Sequence, residues 1–506
     1  MSFSTATPSF FRADTQTTTS IAVHAPYVYT VSKDKTLIKW ELATPTIPTA
    51  NKGIDGNKTP PKKGGARQQR KKPRKVNFVR GMQKVAESGE EHGHTGRILS
   101  VAVSPSGKFI VTGGTDRKLI IWDSATLKPQ KTFMQHRDSI SSLAFTRHIS
   151  TMSSGEQLFS GSFDRTIKTW SLSSAGHAYV ETLFGHQDNV ASVAAMTIDQ
   201  CVSVGARDRT ARLWKVVDES QLVFRGGSSK NAQYHEHNLD CVAPLPPTHF
   251  VTGSDSGAIS LWSIHKKKPL HTILLAHGLD PIPPLDQLSS EQDMETARLN
   301  ARHLRPTPRW ITALATLPGT DIVLSGSWDG WIRAWKISED KKIIESLGPV
   351  GGNNSDGANG VQQTTTTSSP SLQLTQSLVS ETPNGNHETN RTTTTTTRDN
   401  NNDKDEPLIK GVVNDIAVFE RRPTQPSTTT TNLSNNSNSH HPNSSNSNHS
   451  PSTEETQQSG LCILAAVGKE HRLGRWNCFA NNLYTGPSSN GRNGAMVFEV
   501  SFSHSS

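Results

Sequence analysis

The feature that most constrains this chain is an aspartate that precedes a tryptophan by six residues, in one copy after another of a short pattern. The clear copies are Asp34/Trp40, Asp116/Trp122, Asp164/Trp170, Asp208/Trp214 and Asp329/Trp335. Two weaker copies bring the total to seven, and they hold Ser256/Trp262 and Glu470/Trp476. Self-similarity of this kind predicts equivalent units that pack side by side around a shared core.

Each copy has the pattern of a β-hairpin. An apolar run enters, Gly and Asp form a tight turn, and an alternating run leaves with Trp on its buried face. A further alternating run, such as ILSVAVSP or SISSLAFT, lies upstream. Four short strands in a unit of about 44 residues are typical of the blade of a WD-repeat propeller. We therefore expect an all-β fold, a seven-bladed WD-repeat β-propeller with long disordered insertions.

The repeat also predicts a buried polar network in which Ser or Thr joins His to Trp while Asp accepts hydrogen bonds in its turn. It is expected in blade two, with His94, Thr112, Asp116 and Trp122, and in blade three, with His136, Ser160, Asp164 and Trp170. In blade four Val204 stands where the Ser or Thr is expected, so that network is predicted to be incomplete. Asp208 is accordingly interpreted as structural rather than catalytic. The residues assigned to the repeat are Asp34, Trp40, His94, Asp116, Trp122, His136, Ser160, Asp164, Trp170, His186, Asp208, Trp214, Trp262, Asp329, Trp335 and Trp476.

Composition divides the chain into a folded part and polar inserts, because long Ser, Thr and Asn tracts cannot bury enough apolar surface to offset their ordering entropy. We expect residues 1–19 to be a disordered N-terminus and residues 20–502 to form the propeller, with AMVFEVSFS as the outer strand of blade seven. Within Ser289–Leu304 the apolar residues recur at helical spacing, which predicts a short helix. The expected inserts are a basic one at 43–92, a helical one at 276–309, and low-complexity ones at 348–406 and 421–459.

A local basic tract accounts for the net charge of +9, since Asn57–Lys75 holds nine Lys or Arg and no acidic residue. Such a tract indicates nuclear targeting, contact with nucleic acid, or both. The alternative interpretation is a solvated linker. The residues assigned to this basic arm are Lys62, Lys63, Arg67, Arg70, Lys71, Lys72, Arg74 and Lys75.

Several classes of protein are disfavoured by what the sequence lacks. No apolar run approaches the roughly 18 residues of a membrane span, and the N-terminus has no secretory signal pattern. The four cysteines include no C-x-x-C pair, which favours buried thiols over a zinc site. No hydrolase, P-loop, zinc-protease or dinucleotide motif occurs. We therefore expect a binding platform, not an enzyme, with no cofactor, no metal and no small-molecule substrate.

Three phrases go beyond what a generic WD repeat requires. They are YVETLFGHQDNV (Tyr179–Val190), ESQLVFRG (Glu219–Gly226) and KEHRLGRW (Lys469–Trp476). Together with LIKGVVNDIAVFE and the AHG after blade five, they resemble the family of WD-repeat proteins of the U3 small nucleolar ribonucleoprotein, the 55-kilodalton U3-associated proteins. The resemblance covers about half the chain, and it implies a nucleolar protein that binds U3 small nucleolar RNA. It also implies partners among box C/D core proteins and the small-subunit processome, which matures 18S ribosomal RNA.

Two basic clusters are candidates for the RNA surface. The first is Arg207, Arg209 and Arg212 of blade four, and the second is Lys469, His471, Arg472 and Arg475, predicted on the turn and third strand of blade seven. The second is favoured, because it recurs nowhere else and lies in a phrase that carries the resemblance, where an arginine could grip phosphate or stack on a base. The alternative is that these charges only line a turn and meet Glu470. A general protein-binding scaffold, a ubiquitin-ligase substrate receptor and a chromatin-binding scaffold remain open as other functions.

Overall fold

A computed structural model describes most of the chain. The described residues are 2–5, 8–12, 16–42, 73–84, 91–147, 155–226, 234–280, 295–296, 305–351, 407–421, 460–474 and 491–503. They lie in one unit, which spans Met1–Gly351 and Pro407–Ser506. Among these residues no helix has the length and apolar character needed to cross a membrane. The same residues contain no group of three or more His, Cys, Asp or Glu side chains placed to hold a metal ion.

The predicted seven-bladed propeller is confirmed, because the described strands form seven sheets of four or five antiparallel strands. In blades one to six the strands follow chain order from the channel to the rim. Blade one consists of Thr18–His24, Tyr27–Ser32, Thr36–Glu41 and Arg74–Arg80. Blade two consists of Ile98–Val103, Phe109–Gly114, Leu119–Asp123 and Pro129–Phe133. Blades three and four are Ile140–Phe145, Glu156–Ser162, Thr166–Ser173, Gly176–Phe184, and Val190–Thr197, Gln200–Gly205, Thr210–Lys215, Ser220–Arg225. Blades five and six are Leu239–Leu245, His249–Ser254, Ile259–Ser263, His271–Ile273, and Ala313–Thr316, Ile322–Gly326, Ile332–Ile337, Ile344–Pro349.

Blade seven is completed by the N-terminus. Its first three strands are Val412–Arg421, Gly460–Gly468 and Gly494–Ser503, and both Ser2–Thr5 and Ser9–Phe11 pair with the third. The prediction that AMVFEVSFS is the outer strand is therefore wrong, as is the prediction that all of residues 1–19 are disordered. An open edge on Gly494–Ser503 would leave a row of backbone donors and acceptors unpaired, and the first residues of the chain pair with it.

The innermost strands of successive blades contact one another, and Val412–Arg421 contacts Thr18–His24, so the ring is closed. Close approach between blades depends on glycines near the end of the second strand. A Cβ atom on Gly113 would lie 2.5 Å from the Ile140 side chain of the next blade, and one on Gly326 would lie 2.5 Å from Val413. Because real Cβ contacts are longer than this, any larger residue there would force adjacent blades apart.

The boundaries of the inserts differ from those predicted. Arg74–Arg80 pairs with Thr36–Glu41 as the rim strand of blade one, so the basic insert begins and ends inside blade one. Gln83–Lys84 also pairs with Glu91–His92 at the far end of the predicted basic insert. The cause is that the tract ends in an alternating run that continues a sheet. Of the basic arm, Lys62, Lys63, Arg67, Arg70, Lys71 and Lys72 lie outside the described residues.

The predicted helical insert is framed by a short strand pair, Leu279–Asp280 with Thr307–Pro308. Glu295 and Thr296 are helical, and the rest of Ser289–Leu304 lies outside the described residues. The low-complexity inserts also fall there, apart from a few flanking residues that belong to strands of blades six and seven. Three of the four cysteines, Cys201, Cys241 and Cys462, are buried as predicted, and Cys478 is not among the described residues.

Phe11 tests the closure of the ring. Its side chain is buried, and its ring meets Trp40 of blade one edge to face, with 4.8 Å between centroids. We expect Phe11→Ala to lower the free energy of unfolding by about 3 kcal/mol, the usual cost of removing a buried phenyl group. Denaturant unfolding would measure this, with exposed Val180→Ala as a control that changes stability by less than about 0.5 kcal/mol. A Phe11→Ala variant as stable as the control would contradict closure by the N-terminus.

Candidate nucleic-acid interface

A shared hydrogen bond organises the blades. In blades one to six the indole N–H of the repeat tryptophan donates to a Ser or Thr hydroxyl of the second strand. The bonds are 2.8 or 2.9 Å long and run from Trp40 to Thr30, Trp122 to Thr112, Trp170 to Ser160, Trp214 to Ser203, Trp262 to Thr252, and Trp335 to Ser325. Since these atoms are buried, each bond satisfies groups that would otherwise be costly to enclose.

Histidine and aspartate extend this bond into a complete network in some blades. In blade three, His136 Nε2 lies 2.8 Å from Ser160 Oγ, and its Nδ1 lies 2.9 Å from Asp164. The predicted networks of blades two and three are therefore present, with His94 and Asp116 in the equivalent places. The His lies in the loop that enters the blade and the Asp in the turn after the second strand. The network thus ties together two loops on one face of the ring.

The prediction that blade four lacks a complete network is wrong. His186 Nε2 lies 2.7 Å from Ser203 Oγ, and His186 Nδ1 lies 2.8 Å from Asp208. Ser203 pairs across the sheet with Arg212, which lies two residues before Trp214. In blade two, Thr112 likewise pairs with the residue two positions before Trp122. The turn between the second and third strands is one residue longer in blade four than in blade two. The Ser of the network is therefore Ser203 and not Val204, the position expected from the spacing to Trp214 in the other blades.

A further network occurs in blade six, and its histidine is not among the residues assigned to the repeat. His277 Nε2 lies 2.8 Å from Ser325 Oγ, and its Nδ1 lies 2.9 Å from Asp329. His277 falls inside the predicted helical insert of residues 276–309. The AHG at the start of that insert, similar to the GH before blade four, is the signal that could have found it.

The aspartates of these networks are held as carboxylates. Burial by itself would raise the pKa of Asp116, but hydrogen bonds from His94 and from backbone N–H groups outweigh it and lower the pKa to about 2. The pKa values of Asp164, Asp208 and Asp329 are lowered in the same way by their histidines. Burial lowers the pKa of His136. Because these groups are enclosed and bonded to one another, they stabilise loops, as expected for a structural role of Asp208.

The blade-seven cluster does not form the basic surface predicted from the sequence. Residues 469–474 form a loop after the second strand, because the third strand begins only at Gly494. His471 and Arg472 are buried, whereas Lys469 is exposed. Lys33 of blade one donates to Glu470 at 2.7 Å and to the His471 carbonyl at 2.9 Å. The interpretation of His471 and Arg472 as an exposed RNA-binding pair is therefore wrong, and Arg475 and Trp476 lie outside the described residues.

Arg472 instead enters the central channel. Its guanidinium donates to the carbonyl of Ser141 in blade three at 3.1 Å and to that of Ala191 in blade four at 3.0 Å. Its backbone N–H donates to Asn414 at 2.8 Å. The channel contains a partly open cavity of about 320 Å³ lined by the innermost strands, including Asp415 of blade seven. Burial raises the pKa of Asp415, and the hydrogen bond from Ser20 and the charge of Arg472 oppose this without outweighing it.

Exposed arginines do occur on the face that carries the networks. Arg207 and Arg209 of blade four are exposed, whereas Arg212 is buried and donates to Gln221 at 2.8 Å. Arg212 is thus not a surface residue as proposed. Arg209 has a left-handed backbone with φ of 52°, and the basic residue at this turn position is also left-handed in blades one to three. The other exposed arginines of this face in blades two and three are Arg97, Arg117, Arg137 and Arg165.

The described end of the basic arm belongs to a strand. Arg74 donates to Glu41 of the neighbouring strand at 2.9 Å, and both side chains are exposed. The Lys75 ammonium lies 3.7 Å from the centroid of the Phe78 ring. These two residues are partly engaged within blade one, so they contribute less free charge than the tract suggested.

The fold and its repeated networks define a WD-repeat β-propeller protein. The family model of the WD domain, G-beta repeat, matches residues 87–123, 127–171, 178–215 and 301–336. The solved structure of U3-55K is similar over 97% of this chain and 98% of its own, with a TM-score of 0.57 and 24% identity, which supports the fold.

Among WD-repeat proteins, the chain is similar in sequence to proteins named for ribosomal RNA processing and for interaction with U3 small nucleolar RNA. The chain is 36% identical over 364 residues to ribosomal RNA-processing protein 9 of Saccharomyces cerevisiae, covering 64% of this chain and 58% of that protein. It is 33% identical over 324 residues to U3 small nucleolar RNA-interacting protein 2 of Homo sapiens, covering 63% and 54%. The chain therefore spans a little more than half the length of these relatives. The predicted resemblance to WD-repeat proteins of the U3 small nucleolar ribonucleoprotein is confirmed.

The lowered pKa of Asp116 predicts a dependence of stability on acidity. The pKa of Asp116 is lower in the folded protein than in the unfolded chain, where it is near 4. Its carboxylate therefore stabilises the fold at pH values above about 4, and this contribution is lost as the pH falls toward 2. We expect Asp116→Asn to remove about 2 kcal/mol of the acid-dependent change in the free energy of unfolding across this interval. Denaturant titrations at several pH values would measure it. Parallel curves for the two proteins down to pH about 2 would contradict the assignment.

A substitution of Arg472 tests whether this residue stabilises the fold from within the channel. We expect Arg472→Met to lower the free energy of unfolding by about 3 kcal/mol, because two buried carbonyls lose a charged donor. The matched control is Lys469→Met, which removes an exposed positive charge from the same loop and should change stability by less than about 0.5 kcal/mol. Thermal and denaturant unfolding would measure both variants. If Arg472→Met were as stable as Lys469→Met, the hydrogen bonds across the channel would contribute nothing to stability.

Proposed function

We propose that this chain is a U3 small nucleolar RNA-binding subunit of the box C/D U3 ribonucleoprotein. In this role it acts within the small-subunit processome, in the processing of ribosomal RNA precursors toward 18S ribosomal RNA. The observation that carries the proposal is the similarity to relatives named for interaction with U3 small nucleolar RNA and for ribosomal RNA processing.

The charge of one propeller face supports RNA as the ligand. Arg207 and Arg209 are exposed there, on loops held by the His186–Asp208 contact. The nearby Asp188 carboxylate accepts the backbone N–H of Arg207 at 3.1 Å, and Asp208 is enclosed in its network. Arginines that are free of paired carboxylates can hold phosphate oxygens, often with two hydrogen bonds each. With the blade-seven arginine buried, blade four is the better place for the RNA contact.

Partners and location follow from the same proposal. The chain contacts box C/D core proteins and other processome proteins, and it accumulates in the nucleus and nucleolus. The basic arm serves as the nuclear targeting signal, consistent with its dense positive charge. The competing function is a general protein-binding scaffold or a ubiquitin-ligase substrate receptor, for which RNA affinity would be unnecessary.

Direct binding tests the proposal. The purified full chain should bind U3 small nucleolar RNA at least about 10-fold more tightly than an unrelated structured RNA of equal length. Affinity should fall steeply with salt, because phosphate contacts release counterions. The double variant Arg207→Glu with Arg209→Glu should weaken binding and reduce the magnitude of the salt slope by about 1.4, which is about 0.7 for each phosphate that is no longer bound.

The matched control carries the same charge change on the other face. Lys266 and Lys267 are exposed on the loop between the third and fourth strands of blade five, at the opposite end of the strands from the networks. Lys266→Glu with Lys267→Glu should leave affinity and slope nearly unchanged. If both double variants weakened RNA binding equally, the binding would depend on overall charge and not on the blade-four arginines. Equal affinity for U3 and unrelated RNA would reject the proposed function in favour of the scaffold.

A further inference from the structure

Phe184 is an aromatic residue left open to solvent. It is the last residue of the rim strand Gly176–Phe184 in blade three, and it is 71% exposed, more than any other aromatic residue among those described. It precedes His186 by two residues and therefore lies on the face that carries the networks. A phenyl ring in this position contributes nothing to the core, and its exposure to water is unfavourable.

Two arginines lie close to the chain at Phe184, one in the same blade and one in blade four. Phe184 pairs across the sheet with Thr166, and the residue before Thr166 is the exposed Arg165, whose left-handed backbone has φ of 70°. On the other side, a Cβ atom on Gly185 would lie 2.6 Å from Nη1 of Arg212. Glycine beside Phe184 thus allows the guanidinium of blade four to pack directly against the chain that carries the ring.

An equivalent apolar residue occurs one blade away. Met134 follows the rim strand Pro129–Phe133 of blade two, precedes His136 by two residues, and is 61% exposed. Phe184 and Met134 therefore occupy matching positions on adjacent blades, on the face that carries the exposed arginines of blades two to four. We name Phe184, Met134, Arg165, Arg207 and Arg209 the Phe184 patch.

We propose that Phe184 is a stacking platform for an unpaired RNA base, and that the arginines of the Phe184 patch hold the phosphates on either side of that base. This inference rests on the proposed RNA-binding function and adds a subsite to it. An exposed aromatic ring on a face that also carries arginines is a common arrangement for holding single-stranded RNA, since every base offers a flat face to stack.

The charges around the ring favour RNA over a protein partner. Two carboxylates of this face in blades three and four, Asp164 and Asp208, are enclosed with their histidines, and the half-buried Asp188 accepts the backbone N–H of Arg207. Asp138 is exposed, and it accepts hydrogen bonds from Ser139 next to it. The accessible charge beside Phe184 is therefore mainly positive, which suits phosphates. The Phe184 phrase, YVETLFGHQDNV, also exceeds what the hairpin repeat requires.

The test separates stacking from hydrophobic contact and from charge. The full chain and its variants would be titrated with an unstructured RNA of about ten nucleotides and with the duplex formed from it. We expect Phe184→Ala and Phe184→Leu to weaken single-strand binding about 5- to 100-fold, the usual effect of removing one stacked base. Phe184→Tyr should restore affinity, because a tyrosine ring also stacks. Duplex affinity and the salt slope should not change, since the phosphate contacts remain.

Val180→Ala is the matched control, because Val180 lies in the same rim strand and is 55% exposed. It should bind both RNAs as the unaltered chain does. Full affinity of Phe184→Leu for the single strand would overturn the stacking platform while leaving the proposed RNA-binding function intact. Full RNA affinity of Phe184→Ala with loss of a co-purifying protein would assign the patch to a protein partner. Failure of the unaltered chain to bind any RNA would reject both proposals.

Discussion

The hydrogen bond from the repeat tryptophan to a Ser or Thr hydroxyl is the interaction on which the described propeller depends. It measures 2.8 or 2.9 Å in six blades and joins the third strand to the second. Where histidine and aspartate complete it, the entry loop and the turn become fixed to one another. A buried polar group left unpaired costs about 1–3 kcal/mol, so these contacts strongly favour one loop geometry. The exposed arginines of blades two to four are carried by those same loops.

Strand pairing explains how the ring accommodates its inserts. Arg421 and Gly460 are paired neighbours in blade seven, although a long polar tract separates them in sequence. Glu41 and Arg74 are likewise paired in blade one, on either side of most of the basic tract. Because the chain leaves and re-enters at hydrogen-bonded positions, the sheet itself is continuous. Loop-closure entropy grows only slowly with length, so such inserts cost little more than short turns.

The same residue type has opposite roles at different depths. Arg472 is enclosed in the channel and bonds carbonyls of blades three and four, which makes it a tie between blades. Arg207 and Arg209 lie on the surface of blade four, where both residues are exposed. Arg212, only a few residues away, is buried beside Gln221. Sequence motifs cannot separate these cases, because burial is set by residues distant along the chain.

The sequence by itself determined the class of fold, the number of blades and the family resemblance, because the Asp and Trp positions recur at a spacing set by hairpin geometry. It also identified the networks of blades two and three from their residue types. Only the tertiary structure decided which arginines are exposed, how Ser203 completes blade four, and that the N-terminus closes blade seven. Phe11 meets Trp40, and both Ser2–Thr5 and Ser9–Phe11 pair with Gly494–Ser503. Contacts between such distant segments leave no local periodicity, since they arise only when the ring closes.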